Sequence, residues 1–383
     1  MRFIPKILFI CLVAAFVSGC GTSLKHNAID GTTTYEPKYA KGFRILADST
    51  LAHSRILRVS DPWQGASGCE QSLLLLAEGE TAPDGFDGQR VNVPAKRVAV
   101  MSSSFVAMFD AIGECGRIVG VSGAEYISNP TIAKAAADGR VREIGYESNL
   151  DFETIAAMRT DLVLLYGVYG EDKALTGKLH ELGIPYIYIG DYVEPEPLGK
   201  AEWVVAIAAM CGKQAEGEAV FAEIAYHYET LRDSIAQSGA ARPRVMLNTP
   251  YRDTWFMPST RSYSVRLIED AGGEYVYPAN GSASSVPVSL EQALLLASDA
   301  DVWLNVGQCG SLDELRRTNP KFAGVKPVRS GRVYNNTKRM TPGGGSDFWE
   351  SGAVAPDRIL ADLAKILHGN PPTDSLYYYK RLE

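Results

Sequence analysis

Glu153-Thr-Ile-Ala-Ala-Met-Arg-Thr-Asp161-Leu-Val-Leu and Glu291-Gln-Ala-Leu-Leu-Leu-Ala-Ser-Asp299-Ala-Asp-Val-Trp-Leu are one unit written twice. Each is a glutamate-led helix, a short Asp-bearing turn and an apolar strand. Around the first copy the same alternation holds. Arg97–Met101 reads as a strand, Phe105–Ile112 as a helix capped by Ser102–Ser104 and stopped by Gly113, and Arg117–Val121 as a strand. Leu162–Tyr166 and Pro185–Ile189 are apolar strands separated by a helix over Leu175–Leu182. Around the second copy, Arg244–Asn248, Val302–Val306 and Arg332–Tyr334 read as strands, and Ser264–Ala271 and Pro356–Leu367 as helices. Strands alternating with helices imply α/β lobes whose mostly parallel sheets are covered on both faces. The repeated unit implies two of them.

Between the halves the rhythm breaks. Residues 198–237 hold two helical stretches that meet near Gly212. The second, Gln214–Gln237, carries Val220, Phe221, Ile224, Ala225, Tyr228, Leu231 and Ile235 at helical period. Its 24 residues span roughly 36 Å at 1.5 Å per residue, enough to strut two lobes. Upstream, short β-like runs at Phe43–Leu46, Arg55–Val59 and Ser72–Leu76 predict a small N-terminal β element. The expected organisation is a leader (1–19), a polar tether (20–40), the β extension (41–94), an N-terminal lobe (95–197), a helical connection (198–237), a C-terminal lobe (238–370) and a tail (371–383).

The leader is short. Arg2 and Lys6 precede an apolar run from Ile7 to Val17, too short for a transmembrane helix. Val17-Ser18-Gly19-Cys20 resembles a bacterial lipobox, which implies cleavage before Cys20 and a lipid on its thiol. The net charge of −7 then becomes −7 − 2 = −9, without the basic footprint of a nucleic-acid binder. Cys69, Cys115, Cys211 and Cys309 match no zinc or CxxC spacing and read as small buried hydrophobes.

Several segments, taken in order, resemble the helical-backbone class of ABC-importer binding proteins for siderophores, haem and cobalamin. They are Pro94-Ala-Lys-Arg-Val-Ala-Val-Met-Ser-Ser-Ser, Arg117-Ile-Val-Gly-Val-Ser, Asn149-Leu-Asp-Phe-Glu-Thr-Ile, Asp161-Leu-Val-Leu-Leu, Leu182-Gly-Ile-Pro, Leu267-Ile-Glu-Asp-Ala-Gly-Gly, Gly331-Arg-Val-Tyr and Pro356-Asp-Arg-Ile-Leu. The resemblance implies two Rossmann-like α/β lobes joined by a single long α-helix, a cleft between them, small closure, and an exported monomer. It implies no enzymatic activity and no resident cofactor. The transported ligand is a metal chelate, and the partners are an ABC permease with its separate ATPase. The resemblance also implies that Glu153 and Glu291 dock the permease through its arginines. A carboxylate in a first helical turn suits the helix dipole and accepts a bidentate arginine.

Loops after the strands should line the cleft. In the first half they carry Ser103, Tyr126, Tyr146, Tyr166 and Tyr169; in the second, Tyr251, Arg252, Trp255, Lys338, Arg339, Phe348 and Trp349. Aromatic rings suit a macrocycle or catechols, and the basic residues suit an anionic chelate. Gly145-Tyr146, followed by Leu150 and Glu153, resembles the spacing around the iron-ligating tyrosine of haem-binding members. A cleft-wall aromatic is the alternative for Tyr146. His26, His53, His180, His227 and His368 lie outside these loops, which argues against a histidine-ligated metal. No GxxxxGK[ST], HExxH or GxSxG occurs. Thr341-Pro-Gly-Gly-Gly-Ser346 reads as a loop near the cleft, not a phosphate cradle. An exported enzyme acting on a metal complex, or a scavenging lipoprotein without a permease, are the other readings.

Overall fold

The computed structural model describes residues 31–383 apart from Gly85, Tyr169, Asn280, Gly281 and Ala283. The leader, the Cys20 lipidation site and the cleft residue expected at Tyr169 lie outside the described residues.

The chain opens with a five-stranded sheet, β1 (Thr32–Tyr35), β2 (Phe43–Ala47), β3 (Arg55–Ser60), β4 (Glu70–Leu76) and β5 (Gln89–Asn92), in that spatial order. It is antiparallel except for the parallel β4–β5 pair. Because Thr32–Tyr35 pairs with β2, these four residues belong to this sheet rather than to the tether that their polar composition suggested.

The N-terminal lobe follows: β6 (Val98–Val100), α1 (Ser103–Ala111), β7 (Ile118–Val121), α2 (Pro130–Ala137), β8 (Arg142–Glu143), α3 (Phe152–Ala157), β9 (Leu162–Leu165), α4 (Lys173–Glu181) and β10 (Tyr186–Tyr188). Its sheet, ordered β10-β9-β6-β7-β8, is wholly parallel, and β6, β7 and β9 are buried throughout. Strands covered on both faces need continuous apolar runs, which is what Val98–Val100 and Leu162–Leu165 provide.

The connection is α5 (Pro197–Met210) and α6 (Gln214–Gln237), broken at Gly212, whose φ of 71° ends the first helix. Apolar on nearly every side, α5 is buried along almost its whole length and packs on α1. The amphipathic α6 buries Phe221, Ala225 and Tyr228 and packs on α5. The fold-back is close: a Cβ on Gly217 would stand 2.4 Å from that of Ala208.

The C-terminal lobe contains β11 (Arg244–Leu247), β12 (Thr254–Met257), α7 (Tyr263–Asp270), β13 (Glu274–Tyr275), β14 (Val286–Ser289), α8 (Leu290–Ser298), β15 (Val302–Leu304), α9 (Leu312–Thr318), α10 (Lys326–Ser330), β16 (Val333–Asn335), α11 (Pro356–His368) and β17 (Lys380–Arg381). Its sheet runs β13-β11-β15-β16-β17 and is parallel up to β17. The expected tail therefore includes an antiparallel edge strand of this lobe. Outside the sheet, β12 and β14 pair as a separate antiparallel ribbon. Helix α6 reaches this lobe through α11 and α7, where Tyr228 Oη donates to Asp270 Oδ2 at 2.8 Å. The long helix α6, expected as the strut, thus runs from α5 to the C-terminal lobe, and α5 itself touches α7 and α11 as well as α1. Among the described residues no helix is long and apolar enough to cross a membrane.

Candidate ligand-binding site

The strand ends of the N-terminal lobe open on a cleft of about 1080 Å³ that the C-terminal lobe faces. Ser102–Ser104 enter it after β6. Ser102 is the N-cap of α1, its side chain accepting from Ser104 N at 3.3 Å, so the serine run serves the helix and the cleft together. Ser122, Tyr126 and Ile127 follow β7, Tyr146 follows β8, Tyr166 follows β9, and Tyr192–Pro195 follow β10.

The aromatic floor is built from these loops. Tyr166 meets Phe105 edge-on at 6.4 Å and leans on Tyr192 at 4.8 Å. Tyr192 Oη donates to Gly167 O at 2.7 Å. Burial pushes the Tyr166 hydroxyl well above its ordinary value, helped by the Asp191 charge, so it is a neutral donor at any ordinary pH. Nearer the mouth, Tyr126 and Tyr146 lie over Gly123, where φ is 69° and a Cβ would meet Tyr126 Cδ2 at 2.7 Å and Tyr146 Oη at 3.3 Å. The Glu125 carboxylate, with a smaller contribution from Tyr146, raises the Tyr126 hydroxyl. Lys200, from α5, reaches the cleft floor, and its ammonium lies 2.8 Å from the fully buried Asp191 carboxylate. That pairing neutralises the deepest cation.

The opposite wall differs. It consists of Ser259–Ser264 with Arg261 and Tyr263, then Ser284, Ser285 and Trp349. Of the residues expected there, only Trp349 lines the cleft. Trp255 is fully buried between Trp303, at 5.6 Å, and Phe322, at 5.0 Å, and donates to Leu247 O at 3.0 Å. Its register opposite Val288 in the β12–β14 ribbon turns it into the core. Tyr251 and Arg252 form the tight turn before β12, exposed and away from the cleft, with the Arg252 guanidinium 5.2 Å from the Tyr251 ring. Lys338 Nζ donates to Thr373 O at 2.8 Å and to Leu376 O, tying down the C-terminal segment. Arg339 pairs with Asp347 and lies over Tyr377. Phe348 is buried against Tyr378 and Tyr379. Of the expected basic patch, Lys338 and Arg339 are thus consumed internally and Arg252 is exposed outside the cleft. The cations on the cleft are Lys41, Lys200 and Arg261.

Glu153 and Glu291 are exposed in the first turns of α3 and α8. Their helices are capped by Asp151, which accepts from Thr154 N at 2.9 Å, and by Ser289, which accepts from Gln292 N at 3.2 Å. Each helix begins a few residues after a segment that lines the cleft, Tyr146 in one lobe and Ser285 in the other, and neither glutamate is itself among the lining residues. Backbone N–H, the Ser289 hydroxyl and Lys321 at 3.7 Å hold the Glu291 carboxyl below its ordinary value. Among the described residues no cluster of three or more His, Cys, Asp or Glu could hold a metal ion, and no described histidine lines the cleft. Cys115, Cys211 and Cys309 are buried free thiols, and Cys69 is a half-buried one.

Sequence reasoning missed Trp63, Tyr192, Lys200 and Arg261. Tyr192 alone had a usable signal, since it follows a strand as its counterparts do.

The family model described as periplasmic binding protein matches residues 98–340, and the chain belongs to that family. Two uncharacterized lipoproteins of Methanocaldococcus jannaschii are similar over nearly their full length. One is 27% identical over 401 residues, covering 96% of this chain and 93% of the relative. The other is 24% identical over 397 residues, covering 99% and 98%. Among solved structures, a periplasmic heme binding protein from Pseudomonas aeruginosa superposes with a TM-score of 0.58 at 18% identity, over 76% of this chain and 98% of that one. A siderophore-binding protein from Vibrio cholerae, bound to Fe3+-Desferal, gives 0.51 at 16%, over 71% and 99%. The periplasmic vitamin B12 binding protein of Vibrio cholerae gives 0.51 at 15%, over 72% and 98%. These likenesses establish the two-lobed α/β fold.

Proposed function

We propose that this protein is the substrate-binding lipoprotein of an ABC importer, anchored through Cys20. It captures a metal chelate between its lobes and hands it to a permease. The carrying observation is the cleft: about 1080 Å³, floored by Tyr166 and Tyr192, with Tyr126 and Tyr146 at its mouth and Trp349 facing them. Such a site stacks large planar or ring-bearing ligands while its serine hydroxyls orient them. Ferric siderophores, haem and cobalamin are the cargo classes of this size and chemistry, and they are also what the structural neighbours are named for. With haem as cargo, Tyr146 at the mouth supplies the phenolic oxygen for iron. The helix pair packed along both lobes supports a small closure rather than a wide hinge. Glu153 and Glu291 flank the cleft for a permease with complementary arginines.

Titration of the purified protein with haemin, ferric desferrioxamine and cyanocobalamin, followed by absorption and equilibrium dialysis, tests the cargo. Stoichiometric binding and unchanged release of one of them supports the reading. Failure of all three removes the cargo assignment, and chemical turnover would make the protein an enzyme. For docking, Glu153→Lys with Glu291→Lys should leave ligand affinity unchanged and abolish uptake, because charged rims govern encounter and register more than affinity. Uptake at the normal rate would remove the permease from the account. Cys20→Ser should release the protein from membranes.

A further inference from the structure

The region matched to the family begins at Val98, yet part of the cleft wall comes from before it. The N-terminal sheet is fastened to the lobe by buried carboxylates. Glu202 accepts from the backbone N–H of Lys38, Tyr39 and Ala40 at 2.7–2.8 Å and from Tyr35 Oη at 2.8 Å. Glu194 accepts from Lys41 N and Gly42 N, both at 2.9 Å, and from Trp203 Nε1 at 3.1 Å. Gln71 and Gln89 side chains accept the outward N–H groups of Tyr188 and Tyr186 on the edge strand β10, at 3.2 and 3.3 Å. Fastening and edge protection are therefore complete without the loop that joins β3 to β4.

That loop is longer than its hairpin needs. Ser60 pairs with Glu70 across the strands, a closure that a two-residue turn can make. Instead the nine residues Asp61–Cys69 intervene and run over the cleft. They are held in place. Asp61 Oδ1 accepts from Cys69 N at 2.9 Å, and Gln64 N donates to Tyr192 Oη at 3.0 Å. Trp63 stands edge-on to Tyr188 at 5.3 Å, and Pro62 approaches Gly190 so closely that a Cβ there would meet its Cα at 3.0 Å. Asp61, Trp63, Gln64, Gly65 and Ala66 all line the cleft.

We propose that the Asp61–Cys69 loop is a third wall of the ligand site, on which Trp63 packs against the periphery of the bound chelate and the Asp61 and Gln64 side chains select among polar groups carried there. This rests on the cargo reading above. The loop lines a flank of the cleft that comes from neither lobe, and a chelate seated there would owe affinity to the substituents around the metal as well as to the metal core. A chelate with a planar or apolar edge beside hydrogen-bond donors fits an indole flanked by a carboxylate and an amide.

The test uses the full chain and whichever of haemin, ferric desferrioxamine and cyanocobalamin the unmodified protein binds. Trp63→Ala should weaken that affinity at least about tenfold, the scale of a buried aromatic anchor, and ligand should slow hydrogen exchange at residues 63–66. Trp63 also touches Tyr188, so a second variant is needed that leaves this contact intact. Ala66→Trp adds bulk at a partly exposed position of the loop and should block binding without a loss of thermal stability. Affinities within twofold for both variants, or exchange in the loop unaltered by bound ligand, would overturn the third wall while leaving the cargo reading intact. Absence of binding by the unmodified protein to all three probes would overturn the cargo reading and the third wall with it.

Discussion

The two walls of the cleft come from lobes with the same sheet plan, but they are built differently. In the N-terminal lobe the βα rhythm is uninterrupted, and the chain after each of the five strands delivers a side chain to the cleft, four of these stretches carrying tyrosine. In the C-terminal lobe the β12–β14 ribbon is inserted after β11, and the segment after β16 is spent on contacts with the N-terminal lobe and the C-terminal residues. What remains facing the cleft is chiefly serine, with Arg261, Tyr263 and Trp349. A shared fold therefore does not distribute side chains evenly: one wall presents rings, and the other presents chiefly hydroxyls.

The sharpest division concerns two of the three tryptophans of the C-terminal lobe. Trp255 fills the core and Trp349 is half exposed on the cleft. Trp255→Ala should cost about 3–5 kcal/mol of stability, as large-to-small core substitutions do, measured by urea unfolding, and leave the affinity of the folded fraction unchanged. Trp349→Ala should do the reverse. If Trp255→Ala abolishes binding in a fully folded protein, the ribbon opens in solution and the comparison of walls fails.

The contact between the lobes is next in size. Thr341 Oγ1 donates to Glu125 O at 2.8 Å, and Gly345 lies so close to Tyr126 that a Cβ would sit 2.0 Å from its carbonyl oxygen. Glu350 accepts from Ser128 N at 2.7 Å and Asn129 N at 2.6 Å, joining the C-terminal half to the first lobe. Burial, reinforced by the Asp347 and Asp110 charges, outweighs these two donors and pushes the Glu350 carboxyl up to about 7 from its ordinary 4.5. The native protein thus holds a proton in that interval which the unfolded chain releases. The associated stability, on the order of 3 kcal/mol, is fully present below pH 4.5 and is lost as pH rises through 7. Unfolding at pH 5 and pH 8 should show this loss in the unmodified protein and a smaller one in Glu350→Gln. Equal pH dependence in the two would exonerate Glu350.

The tyrosine wall predicts a somewhat smaller effect. Tyr126→Ala with Tyr146→Ala removes two exposed rings at the mouth and should weaken ligand about 10- to 100-fold, with little change in thermal midpoint. Replacing Ser262 by Ala in the other wall should change affinity less than about threefold, the scale of one neutral hydrogen bond. Equal losses from the two walls would erase the asymmetry.

Much of this was legible in the sequence, for identifiable reasons. The buried strands Val98–Val100 and Leu162–Leu165, and the repeated glutamate-led helices, declare themselves because a two-faced parallel strand and an N-capped helix each need a local pattern. The rule that loops after strands line a cleft then located Ser103, Tyr126, Tyr146 and Tyr166. It failed for Tyr251, Arg252 and Trp255 because Thr254–Met257 pairs with Val286–Ser289, a partner some thirty residues away that local periodicity cannot reveal. Trp63 was hidden for the same kind of reason: its place depends on Glu194 and Glu202 gripping backbone N–H groups more than 150 residues earlier.

The smallest effect is expected at the Tyr251-Arg252 pair, which was expected on the cleft and does not line it. Both side chains lie on the turn closed by Tyr251 N donating to Thr254 O at 2.8 Å, and Arg252 takes a φ of 56°, a conformation that favours glycine. An exposed guanidinium over an exposed ring contributes about 0.5 kcal/mol, and a glycine at positive φ recovers backbone strain of similar size. Arg252→Gly should therefore shift stability by less than about 0.5 kcal/mol. Ligand affinity should stay within twofold, since neither side chain reaches the cleft. A tenfold loss of affinity with stability unchanged would mean that this turn swings onto the bound chelate. The second wall would then be as rich in ring and charge as the first, and the division of labour between the lobes would be a property of the empty protein alone.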